Sequence, residues 1–268
     1  MRTDMARRLG AELVGTALLV LFGAGSVVAT LTVGKGELTY PGLGFISLAF
    51  AIVVALVIYV FGPVSGAHIN PAVTIALAVT RRFPWVEVVP YVVAQLAGAV
   101  IGGLLVVATF GTHAVDLGLG ATSLGNGVPY WQGMVAEALG TFLLLLAVMG
   151  LAVDARAPLG WAGLMIGLAV ALEILLIGPQ TGGSVNPART FGPYLTLSMF
   201  GGDVAWSQFG VYVVGPLVGG IVAVLLYDLL APTRPVQRPA MEDSYSPGDP
   251  GSAMSAPPET SVGPAEAG

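Results

Sequence analysis

Six stretches of about 20 mainly apolar residues, at 9–33, 43–62, 88–110, 131–153, 160–178 and 208–230, constrain this chain more than anything else in it. A run of that length crosses the hydrocarbon of a bilayer as a helix. Lipid offers no hydrogen bonds, so each span must satisfy its own backbone, which leaves a bundle of helices as the fold class. Composition agrees. Only 9% of the 268 residues are charged, against roughly 25% in a soluble domain. The hydrophobic fraction is 55% and the mean hydropathy is +0.86. A water-soluble enzyme could not cover itself with so little charge, and a nucleic-acid binder would need a basic surplus where the net charge is −5. Arg7 and Arg8 before the first run resemble a signal peptide, but Glu12 inside it and its length argue for a retained helix.

Two shorter apolar pieces, 71–80 and 187–199, are too short to span. Each begins with Asn-Pro, at Asn70-Pro71 and Asn186-Pro187. Asn is a favoured N-cap and Pro a favoured first helical residue, so both read as half-helices entered through Gly-containing loops, 62–69 and 178–185. Lys and Arg set the orientation. Arg2, Arg7, Arg8, Arg81, Arg82, Arg156, Arg234 and Arg238 all fall on one side if six helices cross in order, which predicts cytoplasmic termini. The resulting division is a terminus 1–8, a first half 9–110, an extracellular connection 111–130, a second half 131–230 and a tail 231–268. The tail holds eight Pro and five acidic residues and is expected to be disordered.

The halves repeat. Ala11-Glu-Leu-Val-Gly-Thr16 matches Ala136-Glu-Ala-Leu-Gly-Thr141. Ser65-Gly-Ala-His-Ile-Asn-Pro-Ala-Val-Thr74 matches Thr181-Gly-Gly-Ser-Val-Asn-Pro-Ala-Arg-Thr190. Tyr91-Val-Val matches Tyr212-Val-Val. Three matches in one order indicate duplication. Each half has an odd number of spans, so the halves must lie upside down to each other. The half-helices then enter from opposite sides and their Asn-Pro ends meet near the midplane, the mark of a transport site.

Two helix N-termini pointing at one place repel cations, since each carries roughly half a positive elementary charge. The side chains of Asn70 and Asn186 can cap through oxygen and keep their amide N–H₂ groups for the lumen. Carbonyls of Gly66, Ala67 and His68, and of Gly182 and Ser184, are candidate acceptors on either side. Such a line suits a neutral molecule that both donates and accepts hydrogen bonds. Arg189, one turn past Asn186, costs about 2.5–3.5 kcal/mol in a membrane core. It should therefore face water or a partner, and a fixed guanidinium repels cations.

On the paired Asn-Pro-Ala (Asn70, Pro71, Ala72; Asn186, Pro187, Ala188), Ser65-Gly66-Ala67-His68, Arg189 and the Ala-Glu-x-x-Gly-Thr starts, the sequence resembles the major intrinsic protein family, the aquaporins and glycerol facilitators, over residues 7–230. The resemblance implies a passive, non-enzymatic channel for water and small neutral solutes in the plasma membrane, six helices plus two half-helices in an hourglass, a homotetramer, and no cofactor or metal. It also implies a four-residue filter: Arg189 with Phe50, Ile174 and Gly183. Strict water channels of the family carry His and often Cys where this chain has Ile174 and Gly183. Glycerol facilitators carry two aromatics and an Asp after the Arg, where this chain has Phe50 alone and Thr190. The quartet is most similar to the archaeal-type branch, of intermediate selectivity. Water with some glycerol leak is the expectation, with glycerol as main solute the alternative.

Glu12 and Glu137 sit at equivalent places inside spans; they serve either as proton carriers or, as their symmetry favours, as acceptors fixing the re-entrant loops. Glu173 has no repeat partner and no evident role. A coupled transporter would need ion-coordinating groups at the midplane, where the chain offers amides and an Arg. An intramembrane enzyme would have to use Ser65 with His68, which lack an orienting partner. An adhesive, non-conducting protein would not need the pore residues. Of the two histidines, His68 fits a loop or pore-lining role and His113 a solvated one.

The chain has no Cys. Mercury compounds are expected to leave its water flux unblocked, measured by light scattering on reconstituted vesicles; a block reversed by a thiol reductant would contradict this.

Overall fold

The computed structural model describes residues 2–231; Met1 and the proline-rich tail lie outside them. Six helices among the described residues are long and apolar enough to span a membrane. They are α1 (Asp4–Val33), α2 (Tyr40–Ser65), α4 (Trp85–Phe110), α5 (Tyr130–Val153), α6 (Ala162–Thr181) and α8 (Phe209–Leu230), with half-helices α3 (Pro71–Val79) and α7 (Pro187–Met199). No strand occurs among the described residues.

Several helices run past their expected ends. The apolar run of the second span stops near Gly62 and Pro63, yet α2 continues to Ser65 and ends at Gly66. Likewise α6 continues through Gly178 and Pro179 to Thr181 and ends at Gly182. Pro63 and Pro179 thus lie inside the last turns of their helices, on exposed positions. The re-entrant loops are correspondingly short, 66–70 and 182–186. The connection 111–130 holds a short helical turn, His113–Asp116. Helix α1 widens into a π-helical stretch at Leu19–Ala24, a distortion that hydropathy does not signal.

The packing follows an approximate two-fold relation. α1 packs on α4 as α5 packs on α8; α4 packs on α7 as α8 packs on α3; α2 and α6 pack on each other. The small residues explain the closest of these approaches. A Cβ on Gly98 would fall on the Leu13 carbonyl, and one on Gly219 on the Ala138 carbonyl. Only glycine lets the backbones come that near without a hydrophobic drive between helices. Large apolar side chains remain exposed around the bundle, among them Leu56, Val93, Leu139, Leu176 and Val218. In water that belt would be a liability; against lipid it is the required surface.

The helix ends form two faces. One gathers Arg8, paired with Glu87 at 2.7 Å, and Arg82, which donates to Asp228 at 2.9 Å. Asp154 is there too, accepting from Arg156 and from Tyr227 Oη at 2.6 Å, contacts that hold its carboxyl well below the usual range. The other face carries the 111–130 connection, where Gly125 N donates to Gln180 O at 2.8 Å.

Gly219→Leu should overpack the α5–α8 contact and destabilise by about 1–3 kcal/mol or more. Gly210→Leu, with nothing within 4 Å of its added Cβ, is the control on the same helix. Thermal unfolding in detergent checks this: Gly219→Leu should lose folded protein and Gly210→Leu should not.

Candidate functional site

Each re-entrant loop is a strained segment held by one carboxylate. Gly66 (φ +90°), Ala67 (+46°) and Ile69 (+44°) have positive φ, as do their counterparts Gly182 (+81°), Gly183 (+62°) and Val185 (+45°). A β-branched residue in this region is rare, at a cost of order 1–3 kcal/mol. Glu12, fully buried in α1, accepts from Ile69 N at 2.7 Å, His68 N at 2.9 Å and Ser65 Oγ at 2.7 Å. Glu137, fully buried in α5, accepts from Val185 N at 2.7 Å, Ser184 N at 3.0 Å and Thr181 Oγ1 at 2.6 Å. The loops start from equivalent anchors: Tyr91 Oη donates to Ser65 O, and Tyr212 Oη to Thr181 O, both at 2.9 Å.

The loops deliver two Asn residues to one place. Asn70 Oδ1 accepts from Ala72 N at 2.8 Å, and Asn186 Oδ1 from Ala188 N at 2.9 Å and Arg189 N at 3.3 Å. Their amides also cross between the halves. Asn70 Nδ2 donates to Val185 O, and Asn186 Nδ2 to Ile69 O, both at 2.8 Å. The expectation that each N–H₂ is wholly left for the lumen therefore needs correcting. One hydrogen of each locks the opposite loop, and one remains.

A cavity of about 430 Å³ runs past these groups. Arg82, His68, Asn70, Ile174, Gly183, Asn186 and Arg189 all border it. The four residues assigned to the filter surround one stretch. The Arg189 guanidinium carbon is 5.0 Å from the Phe50 ring centre, and an added Cβ on Gly183 would lie 3.2 Å from Ile174 Cγ1. Arg189 Nη1 also donates to Gly120 O at 2.8 Å, so it ties down a loop as well as facing the cavity. Of the proposed carbonyl bearers, Gly66, Ala67, His68 and Ser184 line the cavity. Gly182 caps α6 in a left-handed conformation, is exposed, and has Thr122 on the side where a Cβ would lie.

Apart from these groups and Glu173, the lining is mainly apolar. A molecule passing through meets two amide donors, loop carbonyls and a cation against an aromatic face. Cations meet two helix N-termini and a guanidinium. Ser65 and His68 are not paired for nucleophilic chemistry: Ser65 Oγ donates to Glu12, and His68 Nδ1 lies 3.1 Å from Thr74 Oγ1. No His, Asp and Glu group able to hold a metal occurs among the described residues.

Some supporting residues are not evident from single positions. Gln95 Nε2 donates to both Glu12 Oε2 (2.8 Å) and Thr74 Oγ1 (3.0 Å), a link without a counterpart because the second half has Pro216 there. Thr190 Oγ1 contacts Ser184 Oγ at 2.6 Å and Thr122 Oγ1 at 3.0 Å. Tyr91, Tyr212, Thr74 and Thr190 were visible as repeated letters. The Gly120 carbonyl left no side-chain signal at all.

Six spans, two half-helices meeting end to end and a polar-striped cavity between them define a polytopic membrane protein with an internal conduit. Residues 1–227 match the sequence profile of the major intrinsic protein family, and the chain belongs to that family. It is 51% identical over 245 residues to the probable aquaporin AqpM of Archaeoglobus fulgidus, covering 86% of this chain and 99% of the relative. It is 47% identical to the aquaporin AqpM of Methanothermobacter marburgensis over 242 residues, 85% of this chain and 98% of that one. The X-ray structure of the aquaglyceroporin from Plasmodium falciparum superposes with a TM-score of 0.72 at 27% identity, covering 84% of this chain and 96% of that chain.

Replacing Glu12 by Leu would strand four donors, three of them in or beside a strained loop, and should cost about 3–5 kcal/mol. Glu12→Gln keeps an acceptor and should cost less. Folded yield and thermal unfolding in detergent separate the two; equal behaviour would contradict the anchoring role.

Proposed function

We propose that the cavity conducts water passively, with glycerol or similar small neutral solutes passing more slowly, and excludes ions and protons. One observation carries this: the two Asn amides, the two helix N-termini and Arg189 all face a single apolar-walled cavity. A solute must donate and accept hydrogen bonds in single file and bear no positive charge. The two archaeal relatives are called aquaporins and the solved structure is an aquaglyceroporin, names that bracket the same pair of solutes.

Phe50, Ile174, Gly183 and Arg189 act as the filter in this reading. Ile174 cannot donate and Gly183 has no side chain, so the constriction is wide and apolar on one side. Glycerol can lay its methylene edge on Phe50 and Ile174 and offer hydroxyls to Arg189. The charged face carrying Arg8, Arg82 and Arg156 is the cytoplasmic one by the bias of basic residues, which puts both termini inside. The protein works as a homotetramer in the plasma membrane, each chain with its own pore.

Stopped-flow light scattering on proteoliposomes tests this. Water efflux should far exceed that of empty vesicles, with measurable glycerol uptake. Ile174→His combined with Gly183→Cys should suppress glycerol about tenfold or more, equivalent to 1.4 kcal/mol, while water flux persists. Unchanged glycerol flux would overturn the filter assignment, and saturable, proton-dependent flux would overturn the channel.

A further inference from the structure

Glu173 on α6 is 2% exposed, borders the cavity, and neither carboxylate oxygen has a hydrogen-bond partner. A buried orphan of this kind calls for an explanation. The fold itself does not require it. Glu173 Oε2 packs 2.6 Å from the position of an added Cβ on Gly140 of α5, beside Val185 and Ile177. In the first half, the same place against Gly15 is filled by Val57, beside Ile69 and Phe61. A valine therefore satisfies the packing, and the acid is an addition to it.

Its charged surroundings are few. α5 contributes Glu137, and α7 contributes Arg189. Tyr194 and Tyr212 face the same region but give their hydroxyls to Thr122 O and Thr181 O. α2 carries no charged side chain. Arg189 has an orphan too: its Nε is buried and unbonded, while Nη1 is held by Gly120 O. No donor of the protein is turned to Glu173.

We propose that Glu173 is a positioning residue for Arg189, and that loss of its proton to water draws the guanidinium toward α6 and narrows the constriction. The ionised carboxylate attracts the unpaired Nε side of Arg189. It also repels Glu137, which holds Ser184 and Val185 in the second loop. Both effects act on the second loop and the first turn of α7, where Gly183 and Arg189 lie. Glycerol needs more width than water, so it is the solute that responds.

This inference rests on the channel reading, and the experiment separates the two. Water and glycerol permeabilities of wild type, Glu173→Gln and Glu173→Val are measured in proteoliposomes from acid to alkaline pH. In wild type the glycerol-to-water ratio should fall about fivefold as pH rises, a change that one hydrogen bond's worth of energy can set. In both variants it should stay at the acid-side value. Val57 shows that valine fits the packing, so Glu173→Val serves even if Glu173→Gln does not fold. A flat wild-type profile, or the same profile in wild type and Glu173→Val, would overturn the role of Glu173. Wild type without water flux above empty vesicles at any pH would instead overturn the channel.

Discussion

Everything at the centre of this protein depends on two buried carboxylates turned toward backbone N–H groups. A loop at membrane depth has no water to satisfy it and, here, an unfavourable backbone. Glu12 and Glu137 answer both problems, each accepting two loop N–H groups and one hydroxyl. A carboxylate with several good donors is stable where a bare one would not be. Without this anchor, Ile69 and Val185 would leave their positive-φ conformations and their carbonyls would swing away from the Asn amides they now accept from. The meeting of the half-helices is therefore a consequence of the carboxylates, and the donor pair in the cavity is a consequence of that meeting.

The cross-links between Asn70 and Val185, and between Asn186 and Ile69, make the two halves one unit where the half-helices meet. Either half alone would present a half-helix with an orphaned Asn amide and a loop carbonyl inside the membrane. This gives a physical reason for the inverted repeat. The duplication supplies to each loop the partner that the bilayer cannot.

Much of this was legible in the sequence because lipid is such a restrictive solvent. Six spans, two half-helices and their inverted relation follow from run length, Asn-Pro starts and the odd number of spans per half. What periodicity and hydropathy missed was polar detail at helix ends. The apolar runs end near Gly62 and Gly178, yet both helices continue through a proline for about one further turn. Thr122 of the connecting segment lies against Gly182, a contact that no pattern in the sequence signals. Gln95 could not be placed by symmetry, since its role exists in one half only. The Gly120 carbonyl, which holds Arg189, belongs to a segment with no hydrophobic pattern to read.

On the proposed channel reading, these asymmetries carry the selectivity. The symmetric parts, the carboxylates, tyrosines and asparagines, build a conduit that any small neutral hydrogen-bonding molecule could use. The halves diverge at Arg189, where the first half has Val73, and at Glu173, where it has Val57. Both exchanges put an ionisable group in place of a valine, and both side chains border the cavity. An isolated guanidinium repels cations but has no fixed place in an apolar slot. Here it is fixed from outside by the Gly120 carbonyl and faced by the Phe50 ring at 5.0 Å. A scaffold built on symmetry thus obtains its discrimination by breaking that symmetry locally, where a few charged atoms in a low-dielectric wall have the greatest effect on what passes.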